Sequence, residues 1–282
     1  TFGHPGQVKK RLKSRLLGLV KHLIKILKMG VIYGLYWKKI YDLGWVKQIA
    51  KYYPGNYGAP GVKRGPKRKR TPEDIARQNK TNREKKVQRL ILANFHEGDW
   101  HLILSYKKEL RPGSFKEAKK QLRKFLSDMR KVYKKAGIPF KWIAVTERGK
   151  QGACHHHLII EDIADQNLNT KKMVLKFWQY GSKSFHPLYE DGEFEDLAEY
   201  IVKKESKEEE EGCSYSRSRN LIIPQPQKEV IHSRRWRKEP KPEKGWYIVK
   251  DSLVNGENPV TGLPYQHYTM RKIDPGGDSG DA

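Results

Sequence analysis

The chain has 282 residues, enough for one ordinary domain with long extensions or for two small ones. Its 58 Lys and Arg against 32 Asp and Glu give a net charge of +26; residues 1–90 hold 24 of the bases and only four acids, Asp42, Glu73, Asp74 and Glu84. A block this basic attracts polyanions such as DNA, RNA or an anionic membrane surface. Two cysteines, Cys154 and Cys213, exclude a disulfide framework and a four-sulfur zinc site, and fit a reducing cytoplasm.

No apolar run is long enough to span a membrane. Residues 8–28 form a basic amphipathic pattern broken by Lys21 and His22, a poor signal peptide but a pattern that can lie on a membrane surface. The chain opens on Thr1 and its first Met is Met29, so residues 1–28 carry little functional weight. Residues 29–70 are expected to form a basic, Gly/Pro-rich arm, flexible over 51–70, whose Lys63, Arg64, Lys67, Arg68, Lys69 and Arg70 offer contacts to phosphates.

Regular structure is expected from residue 71. Thr71-Pro72-Glu73-Asp74 supplies an N-cap, a proline at the first helical position and acids in the first turn. A basic helix should follow to about Leu92, with Ile75, Val87, Leu90 and Ile91 as its apolar contacts. Trp100–Tyr106 alternates as a strand, with Trp100, Leu102, Leu104 and Tyr106 on one face. Ser114 and Glu117 mark a capping box that opens a helix to about Ala136, stopped by Gly137 and Pro139.

Two strands, 140–147 and 154–161, flank a linker with two glycines and predict a hairpin. A helix at about 171–180, a strand near 184–188 and a helix over roughly 193–204 complete the core, followed by an acidic run at 205–211. Residues 213–273 are rich in Pro, Arg and aromatics and contain one plausible strand, 246–250. The order β-α-β-β-α-β-α implies an α+β fold, a central antiparallel sheet flanked by helices, over 71–273, with 274–282 as a disordered tail.

The chemistry-bearing residues sit on this frame. On a strand, His155 and His157 project from one face and His156 from the other, so the outer pair can chelate one divalent cation. Glu147, on the paired strand, shares the parity of Ile143 and Val145 and lies close to the hairpin turn. Two nitrogens and a carboxylate suit Mg²⁺ or Mn²⁺ acting on a phosphate, although imidazole also accepts zinc. Cys154 has the wrong parity to join them. On the last helix, Tyr200 has Lys203 one turn on, and a nearby cation helps a phenol whose ordinary pKa is about 10 act as a nucleophile. Each motif alone has an ordinary alternative: a polar strand end for the histidines, a core aromatic for the tyrosine.

In this order the motifs resemble the HUH endonuclease superfamily, specifically the rolling-circle replication-associated proteins of bacterial mobile elements and phages. The resemblance spans roughly residues 50–273 and is carried by NFHEGDWHLILSY (94–106), VTERGKQGACHHHLIIED (145–162), LAEYIVKKE (197–205) and SYSRSRNLIIPQP (214–226). It implies His155 and His157 as metal ligands with Glu147 as the third, and Tyr200 as nucleophile with Lys203 completing the Tyr-x-x-Lys motif. His156 departs from the family's bulky hydrophobic residue, which leaves open that it ligates in place of a neighbour.

The resemblance further implies a single-tyrosine enzyme that nicks one strand of an origin, leaving a 5′-phosphotyrosyl link and a free 3′-OH. Tyr180 and Tyr189 are further candidate nucleophiles. Expected partners are single-stranded or melted origin DNA and, since no Walker A sequence is present, a host helicase and polymerase in a bacterial cytoplasm, with no obligate membrane partner. Tyr215, Arg217 and Arg219 offer DNA contacts beside the site, and the cluster Arg234-Arg235-Trp236-Arg237 lies beyond them. A conjugative relaxase, a single-tyrosine transposase and a non-catalytic basic module with structural zinc remain alternatives.

Overall fold

The computed structural model describes residues 16–21, 35–54, 59, 61–149, 152–164, 168–188, 194, 196–201 and 215–273. The fold is α+β, with two antiparallel sheets in two compact units, one of residues 71–224 and one of residues 1–70 with 225–282. Among the described residues no helix is long and apolar enough to cross a membrane. Of the first 28 residues, 16–21 are described; they are helical, with Leu16, Leu17 and Leu19 exposed.

The 71–224 unit holds the elements expected from the sequence. Helix α1 (Pro72–Leu92) starts on a complete capping box: Asp74 N donates to Thr71 Oγ1 at 3.2 Å and Thr71 N to Asp74 Oδ2 at 3.0 Å. Val87, Leu90 and Ile91 are buried as expected, whereas Ile75 is 47 % exposed because only the last two turns of the helix pack. Helix α2 (Phe115–Lys135) has Ser114 accepting from Glu117 N, while the Glu117 carboxylate accepts from Gly113 N instead of closing the box on Ser114. Its buried Phe115, Ala118, Leu122, Phe125, Met129 and Tyr133 form the apolar stripe that the helical spacing predicted.

The sheet of this unit runs β6–β3–β5–β4–β7, with β3 Trp100–Leu104, β4 Trp142–Arg148, β5 Cys154–Ile160, β6 Lys183–Pro187 and β7 Ser216–Arg217. The β4–β5 hairpin closes through Gly149 N to Ala153 O at 2.8 Å, and Gly152 takes a φ of +77°, which a residue with a Cβ adopts only with strain. The central strand β5 is therefore flanked on both sides. One sheet face carries Leu102, Leu104, Ala144, His156 and Leu158. Trp178, which follows helix α3 (Thr170–Phe177), packs edge-on against His156 on this side and against Phe125 of α2.

The second unit departs from expectation. Residues 36–52, assigned to the arm, form strands β1 (Tyr36–Asp42) and β2 (Val46–Tyr52). The C-terminal stretch, expected to give one strand, supplies β8 (Gln227–Ile231), β9 (Trp246–Ile248), β10 (Val254–Glu257) and β11 (Pro264–Lys272). They pair in the order β10–β11–β2–β1–β8, with β9 on β11. Tyr36, Tyr53, Ala59 and Leu263 form one core cluster of this unit, and Ile40, Ile49, Tyr268 and Met270 another. The alternation was masked by polar residues that point inward: Gln266 is fully buried and Lys51 nearly so, joined by Lys51 Nζ donating to Gln266 Oε1 at 3.0 Å. The expected tail, 274–282, and the acidic run, 205–211, lie outside the described residues.

Candidate active site

Register alone assembles the metal-ligating face. Glu147 pairs with His155 and Val145 with His157 across β4 and β5, so both histidines and the carboxylate point to the side of the sheet opposite His156. Glu147 is 1 % exposed, and its Oε1 lies 3.1 Å from His157 Nε2 and in ion-pair contact with His155 Nε2. One ligand atom from each of the three residues falls within 4.8 Å of the others. Two imidazole nitrogens and one carboxylate oxygen at that separation match the donor set a single divalent cation bridges.

His156 does not take part. It is fully buried on the other face, with Nε2 2.8 Å from the Tyr106 hydroxyl and Nδ1 2.9 Å from Thr146 Oγ1. Burial, with His155 and His157 adding to it, pushes its pKa down to about 3, so it is neutral. Cys154 is buried on that same side, away from the cluster.

Tyr200 lies in the helix over residues 196–201, beside the buried Ala198 and Ile201. Its ring meets that of His157 edge-on at 4.7 Å, and its hydroxyl is 2.7 Å from Glu147 Oε1 and 2.8 Å from His157 Nε2. Burial, then the hydrogen bond to Glu147 and that carboxylate's charge, hold the phenol well above its ordinary pKa. Lys80 of α1 reaches Glu199 at 3.3 Å and ties the two helices together. Lys203 and Tyr189 lie outside the described residues. Tyr180 packs on Trp178 and Tyr106, in the aromatic cluster around His156.

Two histidines escaped the sequence reading. His101, on β3, places Nε2 3.1 Å from His157 Nδ1, and His186 on β6 pairs with it across the sheet with ring centroids 5.9 Å apart. Burial, then His157 and His186, push the pKa of His101 down to about 4. A neutral His101 can accept the Nδ1–H of His157, which leaves the Nε2 lone pair of His157 facing Glu147 and Tyr200. The signal was present in the sequence, since His101 alternates away from Trp100, Leu102 and Leu104, but nothing local tied it to residue 157. His101→Phe is expected to lower Mn²⁺ affinity about 10–100-fold while the fold holds; a calorimetric titration giving affinity within twofold of the parent would contradict that role.

Of the proposed DNA-contacting residues, Arg217 pairs with Ile143 and so shares the metal-ligating face, at the outer edge of β4. Arg219 is exposed on the following turn and Tyr215 is half-buried. Lys63, Arg64, Lys67, Arg68, Lys69 and Arg70 are exposed and belong to the other unit. Their segment is pinned there, with Gly65 N donating to Gly262 O at 2.8 Å and Arg68 N to Pro259 O at 3.1 Å.

Residues 99–209 match the model of the ORF2-type family of replication-associated proteins. That stretch runs from the start of β3 past the tyrosine helix, and it contains His101, Glu147, His155, His157 and Tyr200. No curated protein and no solved structure matches the chain. The family match bears on replication and on DNA as the partner, and it ends before the C-terminal strands of the second unit.

Proposed function

We propose that the chain is a rolling-circle replication initiator of the HUH type, which nicks one DNA strand at an origin by tyrosine attack. The observation that carries this reading is the Tyr200 hydroxyl, 2.7 and 2.8 Å from atoms of Glu147 and His157. A nucleophile, a divalent-ion donor set and a replication-family match coincide in one stretch of chain. His155, His157 and Glu147 would hold Mg²⁺ or Mn²⁺, which when bound supplies polarisation of the scissile phosphate.

In the proposed step Tyr200 gives up its phenolic proton and its oxygen bonds to phosphorus. The P–O3′ bond breaks and the departing oxygen takes up a proton. The products are a 5′-phosphotyrosyl enzyme and a 3′-hydroxyl that primes synthesis. Lys203, one helical turn along, would steady the phenolate. Arg217 on the same sheet face, with Tyr215 and Arg219 beside it, would hold the strand as it enters, and the exposed 63–70 segment would add phosphate contacts. Host helicase and polymerase would complete the replication cycle in a bacterial cytoplasm. Cys154 on the opposite side of the sheet weighs against the structural-zinc alternative.

The test is a covalent adduct. Incubated with a single-stranded oligonucleotide carrying the element's nick site, the chain should form a protein–DNA adduct with Mn²⁺ or Mg²⁺ and none with EDTA. Peptide mapping should place the DNA on Tyr200; attachment to another residue would overturn the assignment.

A further inference from the structure

The basic–aromatic cluster at 234–237 and the basic segment at 63–70 are far apart in sequence, and the proposed nicking chemistry leaves the cluster without a role. In the unit formed by residues 1–70 and 225–282 they meet. A cavity of about 480 Å³ is walled by Tyr53, Trp236 and Tyr265, with the exposed Lys63, Arg235 and Lys238 around it and Glu257 as its one carboxylate among the described residues. The volume lies in the range of small-ligand sites.

The cavity is built by buried polar groups, which are costly unless satisfied. Gln266, fully buried on β11, donates from Nε2 to the carbonyls of Arg237 and Lys238, each at 2.9 Å, and to Asn255 Oδ1 at 2.8 Å. Lys51 holds the other end of that amide. The Tyr53 hydroxyl donates to the Arg234 carbonyl, and the Trp236 ring wedges between Tyr36 and Tyr53 at centroid distances of 5.1 and 5.0 Å. On the opposite rim, the Gly65–Gly262 hydrogen bond fixes the segment that carries Lys63. At Gly256 a Cβ would come within 2.6 Å of the Tyr265 ring, so the absence of a side chain there lets that ring lie across the strand.

We infer that this cavity binds an unpaired nucleotide of single-stranded DNA, the base against the aromatic wall and the flanking phosphates on Lys63, Arg235 and Lys238. Aromatic rings stack on any base face, and three cations around a pocket with one carboxylate suit a polyanion. The inference rests on the reading that the chain acts on single strands, yet it concerns a surface with no part in the cleavage chemistry.

Binding of the full-length chain to fluorescent oligothymidylate, followed by anisotropy in EDTA, separates it from nicking. The parent should bind oligothymidylate more tightly than an abasic strand of equal length, and duplex of equal length should compete poorly. Tyr265→Leu should weaken oligothymidylate binding roughly tenfold and leave abasic binding unchanged. The combined Lys63→Gln, Arg235→Gln and Lys238→Gln variant changes only exposed side chains and should reduce the slope of log K against log salt by about two. Equal affinity for the abasic strand, effective competition by duplex, or an unchanged salt slope would each overturn the inference. A missing Tyr200 adduct in the separate cleavage assay would sink the nicking reading and leave this result standing.

Discussion

Tyr200→Phe is expected to lower adduct formation and strand cleavage by at least about a thousandfold, the scale on which loss of an enzyme's nucleophile registers. The substitution removes one oxygen and keeps the ring that packs 4.7 Å from His157, so the thermal midpoint and Mn²⁺ affinity should stay close to the parent's. Residual cleavage within tenfold of the parent would mean that another group attacks. The geometry also gives the reason for an absolute metal requirement. The Glu147 carboxylate that would hold the ion is the group that keeps the Tyr200 phenol protonated, through a 2.7 Å hydrogen bond and its charge. Without a cation to offset that charge the nucleophile is held silent, and cleavage in EDTA should be absent across neutral pH.

The second large effect is on stability. His156→Ala removes a fully buried ring that bridges Tyr106 and Thr146 and packs edge-on against Trp178. The variant leaves a cavity and two hydroxyls without their partner, a combination that costs about 3 kcal/mol. The thermal midpoint of the 71–224 unit should fall by roughly 6–12 °C. The same residue sets a pH dependence. The folded pKa of about 3 lies below the ordinary value of 6.5, so between these limits the unfolded chain binds a proton that the folded one does not. Its contribution is complete above about pH 6.5 and is lost as pH falls toward 3, with a slope approaching 1.4 kcal/mol per pH unit. His156→Leu should therefore be less stable than the parent at pH 7 and less sensitive to acid below pH 6. Parallel stability–pH curves for the two proteins would refute this account.

His156 also shows where a family pattern and this sequence part. The resemblance expects a bulky hydrophobic residue there, and the position is indeed a core position. The histidine fits because Tyr106 and Thr146 satisfy both ring nitrogens. Parity on β5 removes the ambiguity in the sequence, since a residue between two ligands on a strand cannot share their face.

Local rules carried the 71–224 unit. Thr71 with Asp74 and Ser114 with Glu117 fix helix starts through hydrogen bonds within four residues, and the stripe from Phe115 to Tyr133 fixes the buried side of α2. The β4–β5 hairpin is also local, so the partnership of Glu147 with His155 and His157 was legible from alternation and one short turn. Position 200 could be singled out by its motif, but its hydroxyl reaches Glu147 across 53 residues, and no local rule supplies that distance.

The second unit was illegible for the same physical reason turned around. Its strands β1 and β2 pair with β8 and β11, about 190 to 225 residues along the chain, and their inward positions include Lys51 and Gln266. Alternation of apolar and polar residues signals a strand only when the buried side is apolar, and here a buried lysine–glutamine pair replaces part of that signal. The residues around the cavity, Lys63 and Trp236 among them, were visible as basic and aromatic clusters, but only long-range pairing could bring them to one place. By itself the sequence determined the α+β core, the metal-ligating triad and the tyrosine, because each rests on helical or strand periodicity or on a single hairpin. The tertiary structure decided what periodicity cannot reach: the hydroxyl of Tyr200 on Glu147, His101 behind His157, and a second sheet made from the two ends of the chain.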